Sequence, residues 1–131
     1  MATSAAPVEN VAQQWAGFWN AKNLEAAMTL YAPSPRFVTA AAEQWNGVPS
    51  IHRHFALVLK QVDPRLTLTS LHSATSGTLG YDSGTFDEIL APAKGGKAIH
   101  ARGTYLFLFQ KQKRGWKILE QSWTEAGPGK S

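Results

Sequence analysis

Few side chains of this sequence are suited to chemistry on a small molecule, and two of them are tyrosines. Tyr31 lies on the buried side of a short predicted helix, and Tyr81 lies in the alternating pattern of a predicted strand. A phenolic hydroxyl buried in apolar surroundings needs a hydrogen-bond partner, which a ligand carbonyl or carboxylate can supply. Gln121 can also hydrogen bond to a ligand, but its amide cannot accept a proton near neutral pH. Tyr31, Tyr81 and Gln121 are therefore the candidate catalytic residues.

Proton abstraction would instead require a carboxylate inside an apolar pocket. The strand-rich second half of the chain contains Asp82, Asp87, Glu88 and Glu120. Asp87 and Glu88 approach a hairpin loop, and we expect water to surround both. Asp82 either lines the pocket or, as we favour, is exposed on its strand. Glu120 alternates with Gln121, so at most one of the two points inward. We favour Gln121, and a shift of one residue would exchange them.

The histidines do not have the spacing of a metal site. His52 and His54 are two residues apart on a predicted helix, where such positions do not face each other. His72 and His100 lie in different predicted strands, whereas zinc needs several ligands that converge. We therefore expect neither a metal nor a cofactor. His100 and Arg102 point the same way along one strand, where they either meet an anionic ligand or extend into solvent.

Aromatic residues are the strongest sign of a binding site. They occur in nearly every predicted element, and an apolar cavity with a few polar groups is typical of small-molecule sites. The same residues would also form an ordinary core. The candidate ligand-binding residues are Trp15, Trp19, Phe37, Phe55, His100, Arg102, Tyr105 and Trp123.

Composition limits the class of protein. The chain has 131 residues, of which 44% are hydrophobic and 17% charged, and this is typical of one globular domain. We expect one domain over residues 1–131 with a core over about residues 8–124. The absence of Cys excludes disulfide and thiolate chemistry.

The net charge of +4 is mild, and no basic stripe alternates with aromatics, so we expect no nucleic-acid partner. Since no apolar run reaches the ~18–20 residues of a membrane span and no secretory signal is visible, we expect a cytoplasmic protein without membrane contact.

Helical periodicity dominates the first half of the chain. The first helix is predicted from Pro7 to near Lys22, because Pro is favourable at the first helical position. Asn23 is a candidate N-cap for a short second helix that ends before Pro33. A third helix is predicted to begin at Pro49 or Ser50 and to end at Asp63-Pro64.

Alternation with a period of two follows Pro64 and predicts strands. One further short strand, at 36–39, lies between the second and third helices, and Trp45-Asn-Gly47 is predicted to form a turn. The element order α-α-β-α-β-β-β-β predicts an α+β fold in which three helices pack on one face of a mostly antiparallel sheet. The strands of the second half are predicted at 65–73, 79–90, 97–110 and 116–124.

The last two strands are apolar on both faces, which is unusual for a sheet with one solvated face. On the last strand, we expect Gln121 to share a face with Leu119 and Trp123. Helices can cover only one sheet face, and the simplest cover for the other is a second copy of the chain. We therefore predict a homodimer formed through the outer face of the sheet.

Three stretches are similar in order and spacing to one known superfamily. They are Asn20–Tyr31; Trp45-Asn-Gly47 followed by Ile51–Phe55; and Leu79–Gly84 followed by Arg102–Tyr105, Gly115–Ile118 and Trp123. Together they resemble the NTF2-like superfamily, and within it the SnoaL-like and DUF4440 branch related to ketosteroid isomerase. The resemblance implies a cone, in which a strongly curved sheet wraps the helices and leaves a pocket open at one end. It also implies isomerase or lyase chemistry with a tyrosine as hydrogen-bond donor.

The sequence departs from the pattern of this family at two places. Many members carry Asp where this chain has Asn23, and a His-Asp pair where it has Glu120-Gln121. The second change removes a candidate general base. Two functions therefore stay open. One is an apolar pocket for a small hydrophobic, anionic or carbonyl-bearing ligand, with or without isomerase-type or lyase-type catalysis. The other is a non-catalytic dimeric interaction or regulatory module with a filled core.

Overall fold

The structure, a computed structural model, describes residues 7–126 and consists of helices packed into one curved sheet. The helices are α1 (Pro7–Asn20), α2 (Leu24–Met28) and α3 (Val48–Gln61). The strands are β1 (Tyr31–Val38), β2 (Gln44–Asn46), β3 (Val62–Ser76), β4 (Leu79–Pro92), β5 (Ile99–Gln112) and β6 (Gly115–Glu125). The prediction of an α+β fold with three helices on a mostly antiparallel sheet is confirmed.

The sheet order is β2-β1-β6-β5-β4-β3, and only the β1–β6 pair within it is parallel. This order brings the first strand of the chain beside the last one. Tyr31 on β1 is therefore paired with Ile118 on β6. The sheet thus pairs its first long strand with its last one.

Helix α1 packs on the inner face of the sheet because its apolar residues recur every three or four positions. Val8, Ala12, Trp15 and Trp19 are all buried. Asn20 at the end of this helix donates to Leu66 O at 2.9 Å and accepts from Leu66 N at 2.7 Å. Since β3 is an edge strand, these two bonds satisfy backbone groups that no neighbouring strand can reach.

The short second helix begins as predicted. The Asn23 side chain accepts a hydrogen bond from Ala26 N at 3.2 Å, which is the N-cap interaction that this residue type favours. The cap and the helix it starts place Tyr31 at the beginning of β1, beneath α1.

Three elements differ from the sequence prediction. The Trp45 region forms the short strand β2, in which Trp45 pairs with Phe37, rather than only a turn. β1 starts at Tyr31 instead of residue 36, and its prolines occupy an irregular stretch between Tyr31 and Arg36. β3 continues through Pro64, which is possible because an edge strand needs no donor on its free side.

A bulge in β6 changes which residues share its inner face. Leu108 and Phe109 of β5 pair with Glu120 and Ile118, so Leu119 is the extra residue. Gln121 is fully buried and shares the inner face with Ile118 and Trp123, whereas the expected companion was Leu119. The prediction that Gln121 rather than Glu120 points inward is confirmed, and Glu120 lies 3.9 Å from Arg36.

The outer face of the sheet keeps an apolar patch. We call Leu79, Tyr81, Leu106 and Leu108, which surround one shallow groove, the outer patch. The exposed fractions of Leu79, Tyr81 and Leu106 are 49%, 38% and 37%. Within residues 7–126, no helix is both long and apolar enough to cross a membrane.

Candidate functional site

A cavity of about 240 Å³ lies between the helices and the inner face of the sheet and is partly open to solvent. Its walls come from all layers of the fold and are mainly aromatic. The polar side chains that reach it are Thr39, Glu88 and Glu125. The aromatic lining consists of Trp15, Trp19, Phe37, Trp45, Phe55, Phe86 and Trp123.

The aromatic walls hold one another in place. Trp15 and Trp19, one helical turn apart on α1, stack with their ring centres 5.6 Å apart. Phe55 of α3 meets Trp19 edge-on at 5.0 Å. Trp45 stacks on both Phe37 at 4.7 Å and His54 at 4.1 Å. Since these pairs fix the ring orientations, the cavity exists before a ligand enters it.

Glu88 is one of the two carboxylates that line the cavity, and its partly buried position corrects the expectation that water surrounds it. The Trp19 indole N–H donates to Glu88 Oε2 at 2.8 Å, and Oε1 accepts no hydrogen bond from the described residues. Burial raises the pKa of Glu88 above its ordinary value, the Trp19 hydrogen bond opposes this rise, and the nearby Glu125 charge adds to it. Asp87, the preceding residue, lies on the outer face, as expected for a solvated carboxylate, with its Oδ1 atom 2.6 Å from His100 Nε2.

Deeper in the fold, three predicted residues form one hydrogen-bonded chain. The Trp15 indole N–H donates to the Tyr31 hydroxyl at 3.0 Å, and that hydroxyl donates to Gln121 Oε1. Burial raises the pKa of Tyr31, so its hydroxyl stays protonated. Neither Tyr31 nor Gln121 lines the cavity. Gln121 Nε2 and Trp123 Nε1 are buried without a hydrogen-bond partner in the described part of the chain.

Asp82 is fully buried, which corrects the expectation of an exposed strand residue. Ser70 Oγ donates to one of its carboxylate oxygens, and the Tyr105 hydroxyl donates to the other at 2.9 Å. Burial raises the pKa of Asp82, and the two hydrogen bonds oppose this rise. Helix α1 covers this part of β4 closely. A Cβ on Gly80, two residues before Asp82 on the same strand face, would lie 3.2 Å from Val8 Cγ1.

Tyr105 serves this buried cluster rather than the cavity. Its ring packs in the core 5.4 Å from Phe107, and its hydroxyl is occupied by Asp82. Burial, followed by the hydrogen bond to the Asp82 carboxylate and the charge of that group, raises the pKa of Tyr105. The expectation that Tyr105 lines the pocket is therefore corrected.

Three further candidate residues lie on the outer face of the sheet. Asp82 and Tyr105 point inward, so Tyr81, His100 and Arg102 must point outward because side chains alternate along a strand. Tyr81 belongs to the outer patch, and His100 bonds to Asp87. This corrects the expectation that these three line the pocket.

The structure brings Trp15, Trp19, Phe37, Phe55 and Trp123 together around the cavity, as the sequence suggested. Three further lining residues were not predicted from the sequence: Trp45, which was assigned to a turn, Phe86 and Glu88. The alternation that places Asp82 beside Gly84 and Phe86 reaches Glu88 at the next step, and this was the available signal. Within residues 7–126, no three potential ligands cluster as a metal site would require.

Comparison with known proteins places the chain in one family. Residues 12–117 match the family model described as a SnoaL-like domain. A comparison with curated proteins finds no significant match.

Solved structures with the same fold cover nearly the whole chain. A conserved protein from Planctomyces limnophilus DSM 3776 has a TM-score of 0.84 and 13% identity, covering 91% of this chain and 93% of that one. A ketosteroid isomerase-like protein from Erwinia carotovora atroseptica SCRI1043 has a TM-score of 0.82 and 16% identity, covering 92% and 94%. A nuclear transport factor 2 (NTF2-like) superfamily protein from Salmonella enterica serovar Typhimurium LT2 has a TM-score of 0.81 and 13% identity, covering 95% and 94%. At these identities the likeness shows the fold alone.

Proposed function

This chain belongs to the SnoaL-like domain family, and we propose that it binds a small hydrophobic molecule in the aromatic cavity. The observation that carries the proposal is the cavity itself: about 240 Å³ of space with a mainly aromatic lining and one hydrogen-bonded carboxylate. Small-molecule sites combine apolar walls with a few fixed polar groups in this way. A filled core, the alternative suggested by the sequence, would leave no such space.

The lining favours some ligands over others. An anionic ligand is disfavoured because Glu88 and Glu125 are the charged lining residues, while His100 and Arg102 face outward. A carbonyl-bearing ligand can accept a hydrogen bond from the protonated form of Glu88, which the raised pKa of this group favours.

Isomerase-type or lyase-type proton transfer is the second candidate function. The supporting observation is Glu88, a carboxylate at an aromatic cavity whose pKa burial raises, because a raised pKa makes a carboxylate a stronger base. Many family members carry an Asp at the position of Gln121, and in this proposal Glu88 supplies the carboxylate instead. Tyr31 and Gln121 act as positioning residues that hold the Trp15 wall, and Tyr81 takes no part.

A cavity-filling variant tests the binding function. Val58 lines the cavity, while its neighbour Leu57 is 54% exposed and does not line it. We expect Val58→Trp to abolish binding of the neutral dye N-phenyl-1-naphthylamine, and Leu57→Trp to leave it unchanged. Dye fluorescence measures binding, and native mass spectrometry of the purified protein shows whether it retains a molecule. Equal dye binding by both variants would place the binding site elsewhere and refute the proposal.

We also propose that two copies of the chain pair through the outer patch. The supporting observation is the exposure of Leu79, Tyr81 and Leu106 beside one another on a sheet face without helices. Sedimentation velocity tests the proposal, since a single monomeric species at micromolar concentration would contradict it.

A further inference from the structure

The walls of the cavity suit a positively charged group. The aromatic lining includes the indoles of Trp15, Trp19 and Trp123. Trp45 also lines the cavity, but Phe37 and His54 cover the two faces of its ring. The face of an aromatic ring carries partial negative charge, and among the side chains tryptophan attracts cations most strongly. An aromatic enclosure of this kind binds ammonium groups better than it binds neutral groups of the same shape.

Among the residues that the structure describes, the groups that face Glu88 supply no positive charge. Trp19 of α1 gives one neutral N–H, Leu66 of β3 and Ala101 of β5 are its register partners, and Glu125 lies near it from β6. Within residues 7–126, no Lys, Arg or His lines the cavity, although the whole chain has a net charge of +4. The distribution of charge in the fold thus leaves this cavity locally negative.

A ligand that fills the cavity replaces the water around the Glu88 carboxylate, and its charge decides whether this is favourable. A neutral ligand displaces water from the free Oε1 atom and offers the charged carboxylate no compensating interaction, so it binds only if Glu88 takes up a proton. An anionic ligand adds repulsion to that loss. A cationic group returns an ion pair in a site of low dielectric constant, where charges interact strongly. Among the three ligand types, the cation is the one that the desolvated carboxylate stabilises.

We propose that the ligand of this cavity is an organic cation, a protonated or quaternary amine attached to a hydrophobic body, with Glu88 as its counter-ion. The cationic group lies between the Glu88 carboxylate and the indole walls. The inference rests on the proposed binding function and adds the charge of the ligand to it.

Two probes of the same shape separate charge from hydrophobicity. Phenyltrimethylammonium and tert-butylbenzene differ only in a charged nitrogen that replaces a carbon. We expect the cation to displace N-phenyl-1-naphthylamine at a concentration at least about tenfold lower than the neutral probe. We expect Glu88→Gln to remove this preference, since glutamine keeps an acceptor for Trp19 but has no charge. Asp87→Asn is the matched control and keeps the preference, because Asp87 lies on the outer face.

The outcomes distinguish this inference from the function on which it rests. If the dye and tert-butylbenzene bind but the cation has no advantage, the charge assignment is wrong and the hydrophobic pocket stands. A preference that survives in Glu88→Gln also overturns the assignment. If neither probe nor the dye binds, the proposed function fails, and the inference fails with it. Circular dichroism confirms that each variant is folded, and Glu125→Gln, with a smaller expected loss of preference, gives a second variant.

Discussion

The hydrogen-bonded chain of Trp15, Tyr31 and Gln121 makes a prediction about stability that the structure quantifies. Tyr31→Phe removes one hydroxyl that both accepts from Trp15 Nε1 and donates to Gln121 Oε1. The phenyl ring keeps its place in the core, so the change is confined to the hydrogen bonds. Two buried polar groups lose their partner, and water cannot reach either, since Trp15 is 2% and Gln121 0% exposed.

The expected loss follows from these two groups. A buried donor or acceptor left without a partner costs about 1–3 kcal/mol. The variant no longer buries the hydroxyl itself, which offsets part of the sum. The free energy of unfolding should therefore fall by about 2–4 kcal/mol, a large share of the stability of a small protein.

Urea denaturation followed by circular dichroism measures this loss, and Tyr81→Phe is the matched control. The Tyr81 side chain is 38% exposed on the outer face, and its hydroxyl forms no hydrogen bond in the described part of the chain. Tyr81→Phe should change the free energy of unfolding by less than about 0.5 kcal/mol, as surface substitutions do.

If Tyr31→Phe loses no more stability than Tyr81→Phe, the two hydrogen bonds of Tyr31 do not stabilise the fold as expected. A second variant tests the same chain from its other end. Gln121→Leu replaces the amide, whose Nε2 is already without a partner, by an apolar side chain of similar size. In the Gln121→Leu background, Tyr31→Phe leaves only Trp15 Nε1 without a partner, so it should lower the free energy of unfolding by less than in the wild-type chain.

Three further predictions concern other parts of the fold. Burial raises the pKa of Asp82, so the wild-type protein should lose stability as pH rises from the unfolded-state pKa near 3.8 through the higher folded-state pKa. Chemical denaturation across this range should show a smaller loss for Asp82→Asn. If the two proteins differ in stability by the same amount at every pH, the prediction is wrong. Gly84→Ala should destabilise the protein by about 2–3 kcal/mol because its Cβ would lie 1.9 Å from Thr69 O. Gly17→Ala, which has open space around it on α1, should raise the melting temperature slightly. Equal changes in melting temperature for the two variants would contradict the close approach at Gly84. Leu106→Glu in the outer patch should convert a dimer to monomers in sedimentation velocity without unfolding it, and an unchanged dimer would place the interface elsewhere.

The sequence predicted those features that depend on local pattern. The face of α1 that buries Trp15 and Trp19 follows from helical spacing, and the Asn23 cap follows from residue type. The aromatic walls were likewise predictable, because large apolar residues in successive elements must meet in one core. These predictions needed no knowledge of how distant segments pair.

The features that failed depend on long-range packing. Alternation shows that Asp82 and Glu88 share a strand face, but not that α1 covers that face, where it buries Asp82 fully and Glu88 in part. The bulge at Leu119 has no sequence signal, because it arises from the pairing between β5 and β6. Strand β2 forms only where the parallel β1–β6 pair leaves an edge beside Phe37. Each of these features is fixed by a partner far away in the sequence.

The two indoles of α1 show how the fold separates a neutral interior from a charged cavity. Trp15 and Trp19 are four residues apart, so their N–H groups lie on one face of the helix at different depths. The Trp15 N–H leads to a phenol and an amide, which suits a fully buried region where a charge would be costly. The Trp19 N–H meets Glu88 where the cavity opens to solvent. Gln121 is thus compatible with its buried position because it is uncharged. The proton transfer or cation binding that we propose is assigned instead to Glu88, beside the next turn of α1.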